Sequence, residues 1–345
     1  MLKSALTTIG IAAVALGSAG VAEARTQIRI VGSSTVYPFT TAVAEAFKRA
    51  YPQFQAPIVE STGSGAGFKL FCAGVGQQHP DFTNASRRMK ASEFKTCGDN
   101  GVKGILEVQI GLDGLVFAQS RSGQFAGLSE SDIYKALAAT PFGKPNKYQT
   151  WKDVNPKLPA IKISVIGPPP TSGTRDSLID LYMVKGCESN ASMLALKKSD
   201  EAKYDAVCKK IREDGAFIEG GENDNLIVQK IAASPNTLGV FGFSFLEENG
   251  DKIKDVPING VTATYESISS FKYPASRPLF IYGKIQHVRA VKGMKEFLAE
   301  YTKESTWGPG GLLSKRGLVA EPTDVRAKNA AAVAALTPLS ISALK

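Results

Sequence analysis

Three short stretches limit what this chain can fold into: Gly32-Ser33-Ser34-Thr35, Thr62-Gly63-Ser64-Gly65-Ala66-Gly67 and Thr171-Ser172-Gly173-Thr174-Arg175, each running into a segment with helical apolar spacing. The first turn of a helix leaves backbone amides without intrahelical partners, and the macrodipole adds partial positive charge at that end. Glycine lets the backbone approach a ligand there, while Ser and Thr hydroxyls add donors without formal charge. The same residues are also ordinary helix N-caps. Three such junctions in one chain, two of them preceded by a strand, point to a shared place for an oxyanion.

The surrounding pattern alternates strand and helix. Residues 28–31 read as a strand, and Phe39, Val43, Ala46, Phe47 and Ala50 then mark one helix face. A strand near 56–60 precedes the second loop, a helix over 68–75 follows it, and a short strand is expected at 81–82. The alternation of 102–111 runs on into 115–118 as one long strand or two collinear ones, a segment able to cross between domains. Next come a helix over 132–139, a strand over 161–166, and a helix after the third loop with Leu178, Leu181 and Tyr182 on one face. A charged helical stretch fills 197–212, and the polar cluster 220–225 opens a helix over 226–233. Asn225 or Asp224 reads there as a cap, with ligand contact as the alternative. A strand over 238–243, a second crossing strand over 273–282 entered through prolines, and a helix over 291–302 complete the pattern. The Ala-rich tail 327–345 is weakly specified.

The first 24 residues read as a secretory signal peptide: Lys3, an apolar run from Ala5 to about Gly20, then Ala22-Glu23-Ala24 before Arg25. Cleavage after Ala24 is expected, giving an exported protein. Cys72, Cys97, Cys187 and Cys208 form two sequence-local pairs, and Cys72–Cys97 with Cys187–Cys208 is the simplest disulfide pairing. A zinc site is the rival, without C-x-x-C spacing and with only two histidines, His79 and His287, to support it. The net charge of +9 favours anionic partners. No Lys/Arg run is interleaved with aromatics, so nucleic acid is not expected among them.

The motifs Ile30-Val31-Gly32-Ser33-Ser34-Thr35-Val36-Tyr37-Pro38, Gly63-Ser64-Gly65-Ala66-Gly67-Phe68-Lys69, Asn84-Ala85-Ser86-Arg87, Ser172-Gly173-Thr174-Arg175 and Tyr273-Pro274-Ala275-Ser276-Arg277-Pro278-Leu279 occur in that order. As a set they resemble the periplasmic phosphate-binding proteins of Pst-type ABC transporters. The resemblance implies an α/β periplasmic binding protein fold of type II, with two lobes joined by a two-strand hinge. Residues 25–112 plus 279–345 would form lobe 1, and residues 113–278 lobe 2. It further implies a monomer with no cofactor and no catalytic or metal site, binding inorganic phosphate in the periplasm and delivering it to an ABC permease and ATPase in the inner membrane.

Residue by residue, the resemblance places phosphate contacts at Ser34, Thr35 and the Val36 amide in the first loop, and at Ser64 in the second. Ser172, Gly173 and Thr174 would contribute from the other lobe. The best-studied members of the family carry an Asp where this chain has Arg87, and an Arg a few residues before the Ser-Gly-Thr where it has Pro168-Pro169-Pro170, a departure that other branches of the family share. Arg87 and Arg175 are accordingly the expected cationic contacts, and Asp113 could supply the missing acceptor or could be a turn residue before Gly114. A carboxylate acceptor is what separates protonated phosphate from fully deprotonated sulfate, since a buried acceptor facing a lone pair is left unpaired. The alternatives are a binder of another tetrahedral oxyanion and an exported hydrolase or phosphatase. Against the latter, no G-x-S-x-G pattern is present and two histidines cannot easily make a catalytic metal cluster.

Overall fold

A computed structural model describes residues 26–344 of the 345-residue chain. The expected signal peptide and its cleavage point lie outside these residues.

Among the described residues nine strands form one continuous hydrogen-bonded network: β1 Arg29–Gly32, β2 Ile58–Val59, β3 Phe82–Ala85, β4 Ile105–Ser120, β5 Val165–Gly167, β6 Phe217–Glu219, β7 Leu238–Gly242, β8 Ile253–Asp255 and β9 Ser276–Lys284. Their order is β2-β1-β3-β9-β4-β7-β5-β6, with β8 also on β4. β1 pairs in parallel with β2 and β3, and β5 with β6 and β7. Parallel strands are usually covered on both faces, and the inner strands β1, β3, β5 and β7 are buried almost throughout, whereas the edge strands β2 and β6 are largely exposed. β4 is a single strand of 16 residues. Residues 105–114 of it pair with β9, residues 115–118 with β7 and residues 118–120 with β8. It therefore belongs to both halves of the network.

The cores divide along the same line. One cluster runs from Leu112 through Phe117, Trp151, Tyr182 and Phe241 to Tyr273 and lies on the β4-β7-β5-β6 side. A second, built from Ile30, Phe39, Phe47, Phe297, Trp307 and Val333, covers one face of the other side. A third, with Phe68, Phe71, Cys97 and Tyr282, covers the opposite face.

Most of the expected elements are present with shifted ends, the strand expected over 161–166 being confined to Val165–Gly167, whereas β6, β8 and the helix Phe243–Glu248 were not expected; four further differences have a local physical reason. The helix expected over 68–75 spans Ser64–Phe71, because the Gly-rich loop itself winds into its first turn. The charged stretch 197–212 is two helices, Ala191–Ser199 and Glu201–Cys208, because the Asp200 carboxylate accepts from the Lys203 amide and caps the second. Helix Ala91–Asp99 was not anticipated, its only buried residue being Cys97. The tail expected to be weakly specified forms helix Thr323–Ala335, with Val333 in the second core. Among the described residues no helix is long and apolar enough to cross a membrane.

Cys72–Cys97 and Cys187–Cys208 are both disulfides, closing segments of sequence separation 25 and 21. In the chain-entropy account each closure contributes about 3 kcal/mol by restricting the unfolded chain. Replacing the bridges one at a time by paired Ser substitutions is expected to lower the denaturant midpoint in each case. An unchanged midpoint for either double variant would show that its bridge leaves the unfolded chain unconstrained.

Candidate functional site

The loops at the carboxyl ends of the strands come together where the two halves meet. This is the crevice that open α/β sheets offer at their switch points. From the first half, β1 ends at Gly32 and turns through Ser33–Thr35 into helix α1, Tyr37–Ala50. Gly32 has φ +124°, and a Cβ there would lie 2.2 Å from the Asn84 carbonyl oxygen, so only glycine lets the end of β1 pass this close to β3. The second loop opens helix α2, Ser64–Phe71, at Ser64 itself. From the second half, β5 ends at Gly167 and Ser172 caps helix α3, Gly173–Leu178, its Oγ accepting from the Thr174 amide at 3.1 Å. Helix α4, Asp224–Ala232, follows β6 and is capped by Asn223 rather than by Asp224 or Asn225.

The halves touch through side chains from these loops. Thr35 Oγ1 and Thr174 Oγ1 are 2.8 Å apart, both fully buried. The guanidinium of Arg277, on β9, donates through Nη2 to both threonine hydroxyls at 3.3 Å. Through Nε and Nη2 it also donates to Asp113 Oδ2 at 3.0 and 2.8 Å. Asp113, midway along β4, accepts at Oδ1 from the Phe243 amide at 2.8 Å, the first residue of the helix after β7. Burial pushes the Asp113 carboxyl upward, against the pull of Arg277 and of that amide. Beside them, Ser64 Oγ accepts from the Ser86 amide at 3.1 Å and lies 3.3 Å from Ser86 Oγ. Gly173 packs directly against this pair.

The structure thus brings Thr35, Ser64, Asp113, Gly173 and Thr174 into one buried cluster. Ser34 is 5% exposed and its Oγ is without a hydrogen-bond partner. The Val36 amide turns back to Ser33 Oγ at 3.4 Å, and Ser172 serves as a cap. The two arginines expected as cationic contacts are engaged elsewhere. Arg87 is held by Glu93 at 2.7 Å and Asp176 at 2.6 Å and lies over the Phe68 ring. Burial works against its charge, and the two carboxylates more than offset this, raising it above its usual range. Arg175 stacks on Phe217 and donates to the Pro168 carbonyl oxygen at 3.0 Å, and burial lowers it. The cation at the cluster is Arg277, which sequence reasoning quoted within a motif but did not assign. The signal was available: a lone arginine inside an otherwise apolar crossing strand must find a buried partner. Ser86 was missed for the same reason, being quoted and not used.

A profile described as a PBP superfamily domain matches residues 17–305. Among curated proteins, the phosphate-binding protein PstS of Staphylococcus epidermidis is 31% identical over 300 residues, covering 84% of this chain and 78% of that one. Protein SphX of Synechococcus elongatus is 30% identical over 292 residues, covering 81% and 76%. Among solved structures, a possible phosphate-binding protein from Planctomyces limnophilus aligns with a TM-score of 0.59 at 28% identity, covering 91% of this chain and 99% of that one. A putative phosphate ABC transporter substrate-binding protein from Clostridium perfringens shares the fold, with a TM-score of 0.63 at 23% identity over 86% and 100%. The chain belongs to the PBP superfamily and, within it, to the PstS-like solute-binding proteins, which are not enzymes.

Proposed function

We propose that this protein binds inorganic phosphate between its two halves and delivers it to an ABC permease and ATPase. The observation that carries the reading is the meeting of Thr35 from one half and Thr174 from the other at 2.8 Å, both held by a single buried guanidinium. Neutral donors from α1, α2 and α3, with one Arg fork, suit a small anion, because charge-assisted hydrogen bonds at planar guanidinium groups are among the strongest available. Ser34, Thr35, Ser64, Ser172, Gly173, Thr174 and Arg277 line the place for it, joined by the Val36 amide once it leaves Ser33. The relatives named as phosphate-binding proteins support the ligand class. In this reading residues 25–112 plus 279–345 and residues 113–278 act as lobes, and β4 with β9 forms the ribbon between them. The protein works as a periplasmic monomer after its leader is removed.

Phosphate is expected to raise the melting temperature by several degrees, since ligand at 100 times its dissociation constant adds about 2.7 kcal/mol to the native state. Calorimetric titration of the ligand-stripped mature protein gives the affinity directly. A melting curve that phosphate leaves unmoved while another small solute shifts it would overturn the reading.

A further inference from the structure

Asp224, the first residue of α4, is 1% exposed, and neither of its carboxyl oxygens has a hydrogen-bond partner. Two donors in the same region are equally unpartnered: Nη1 of Arg277 and Oγ of Ser34. Asp224 and Ser34 also line one cavity of about 410 Å³, together with Tyr37, Glu222, Phe245 and Glu248. Native proteins pair their buried polar atoms, and a carboxylate, a guanidinium nitrogen and a hydroxyl left over together mark a place where something else completes the bonds. Donors and an acceptor at one place suit an anion that is itself partly protonated.

We propose that Asp224 is the residue whose loss of a proton makes this site distinguish a protonated tetrahedral oxyanion from an unprotonated one. The proposal rests on the phosphate reading above. Asp113 is unsuited to the task, because Arg277 and the Phe243 amide already occupy both of its oxygens. Ionised Asp224 accepts the P–O–H of hydrogen phosphate. Sulfate has no proton to give, so it gains the same bond only when Asp224 carries the proton and donates it.

The surroundings favour that proton at neutral pH. Burial, with Asp113 and Glu222 adding to it and Arg277 opposing it, pushes the Asp224 carboxyl up to about 8. Arg277 comes from β9, Asp113 from β4 and Glu222 from the loop before α4, while the helix following β7 supplies Glu248. β8, also packed on α4, carries Lys254 and Asp255, whereas β5 and β7 bring no charged side chain. Raising the pH removes the proton from Asp224 and with it sulfate's bond, whereas hydrogen phosphate continues to bring its own. Sulfate binding takes up or keeps one proton on Asp224, so its affinity falls about tenfold per pH unit once Asp224 ionises.

The test is calorimetric titration of the mature protein with phosphate and with sulfate at about pH 7 and about pH 9.5, for wild type and Asp224→Asn. Wild type is expected to lose roughly 30-fold in sulfate affinity across this range while phosphate affinity stays within about threefold. Asp224→Asn, whose amide donates at every pH, is expected to bind sulfate equally at both. Sulfate binding by wild type that is absent at about pH 7, or undiminished at about pH 9.5, overturns the role of Asp224. So does an Asp224→Asn protein that keeps the wild-type pH dependence. If the variant does not fold, the two wild-type titrations decide alone. Failure of wild type to bind phosphate at either pH overturns the phosphate reading instead.

Discussion

Arg277→Ala is expected to abolish measurable phosphate binding and to destabilise the ligand-free protein together. The affinity is lost because this guanidinium is the cation at the threonine pair, with its Nη1 still unpartnered. The stability is lost because Asp113, 2% exposed, is left with backbone amides alone as partners in its place. Breaking a buried ion pair from one side typically costs about 3–5 kcal/mol, since the remaining charge stays uncompensated. Removing both charges is a different matter: exchange of a buried pair for apolar groups of similar volume is often neutral. Arg277→Met combined with Asp113→Leu should therefore recover most of the stability in a denaturant titration and none of the binding in calorimetry. In the single variant Asp113 is buried without its cation, so its carboxyl titrates above the unfolded value. The destabilisation should then be largest at alkaline pH and shrink as the pH falls and the carboxyl takes up a proton. An Arg277→Ala protein with wild-type phosphate affinity would place the anion elsewhere.

Gly173→Ala is expected to weaken phosphate binding while sparing the fold. A Cβ at this position would meet Ser64 Oγ at 2.2 Å and Ser86 Oγ at 2.6 Å, atoms of the opposite half. Overpacking of this kind costs about 1–3 kcal/mol, which is a loss of about 5- to 150-fold if it falls on the closed arrangement. Gly173 starts a helix, where alanine is the better former, so the ligand-free melting temperature should hold or rise. Gly98→Ala is the matching control. Gly98 also lies in a helix, and its Cβ would meet nothing within 4 Å. It should stabilise without touching affinity. Equal phosphate affinity in Gly173→Ala and wild type would mean that the contact between Ser64 and Gly173 plays no part in holding the ligand.

The three Ser/Thr/Gly junctions were legible because they combine two local rules, capping chemistry and apolar period, that do not depend on the rest of the chain. Thr35, Ser64 and Thr174 could be named on that basis, and they do converge. The placement of cations was not legible in the same way. Arg87 and Arg175 sit beside the right loops in sequence, yet Glu93, Asp176 and Phe217 intercept them, and those partners are set by packing. Arg277 reaches the cluster from β9, 103 residues from Thr174 and 242 from Thr35, a separation no local pattern spans. Helix Ala91–Asp99 escaped notice because it buries almost nothing and so has little apolar period to read. Asp224 was visible as a helix-start residue, but whether such a carboxylate caps or waits for a ligand depends on Asn223 taking the cap.

The ladder that sets Gly114 opposite Ser276 makes the point where the chain leaves the first half adjacent to the point where it returns. In the order of chain emergence, residues 115–275 bring all of β5 to β8, and nearly the whole of their core, before β9 exists. The strands β1 and β3 emerge earliest, yet β3 has no antiparallel neighbour until β9, and the core beneath β1 awaits Phe297, Trp307 and Val333. Contacts of such long separation form slowly, because loop closure must precede them. The half that begins the polypeptide is therefore the last to be finished. Until residues 276–335 arrive it carries an open sheet edge and an unfilled core, the state in which a chain is most exposed to aggregation and most in need of a chaperone.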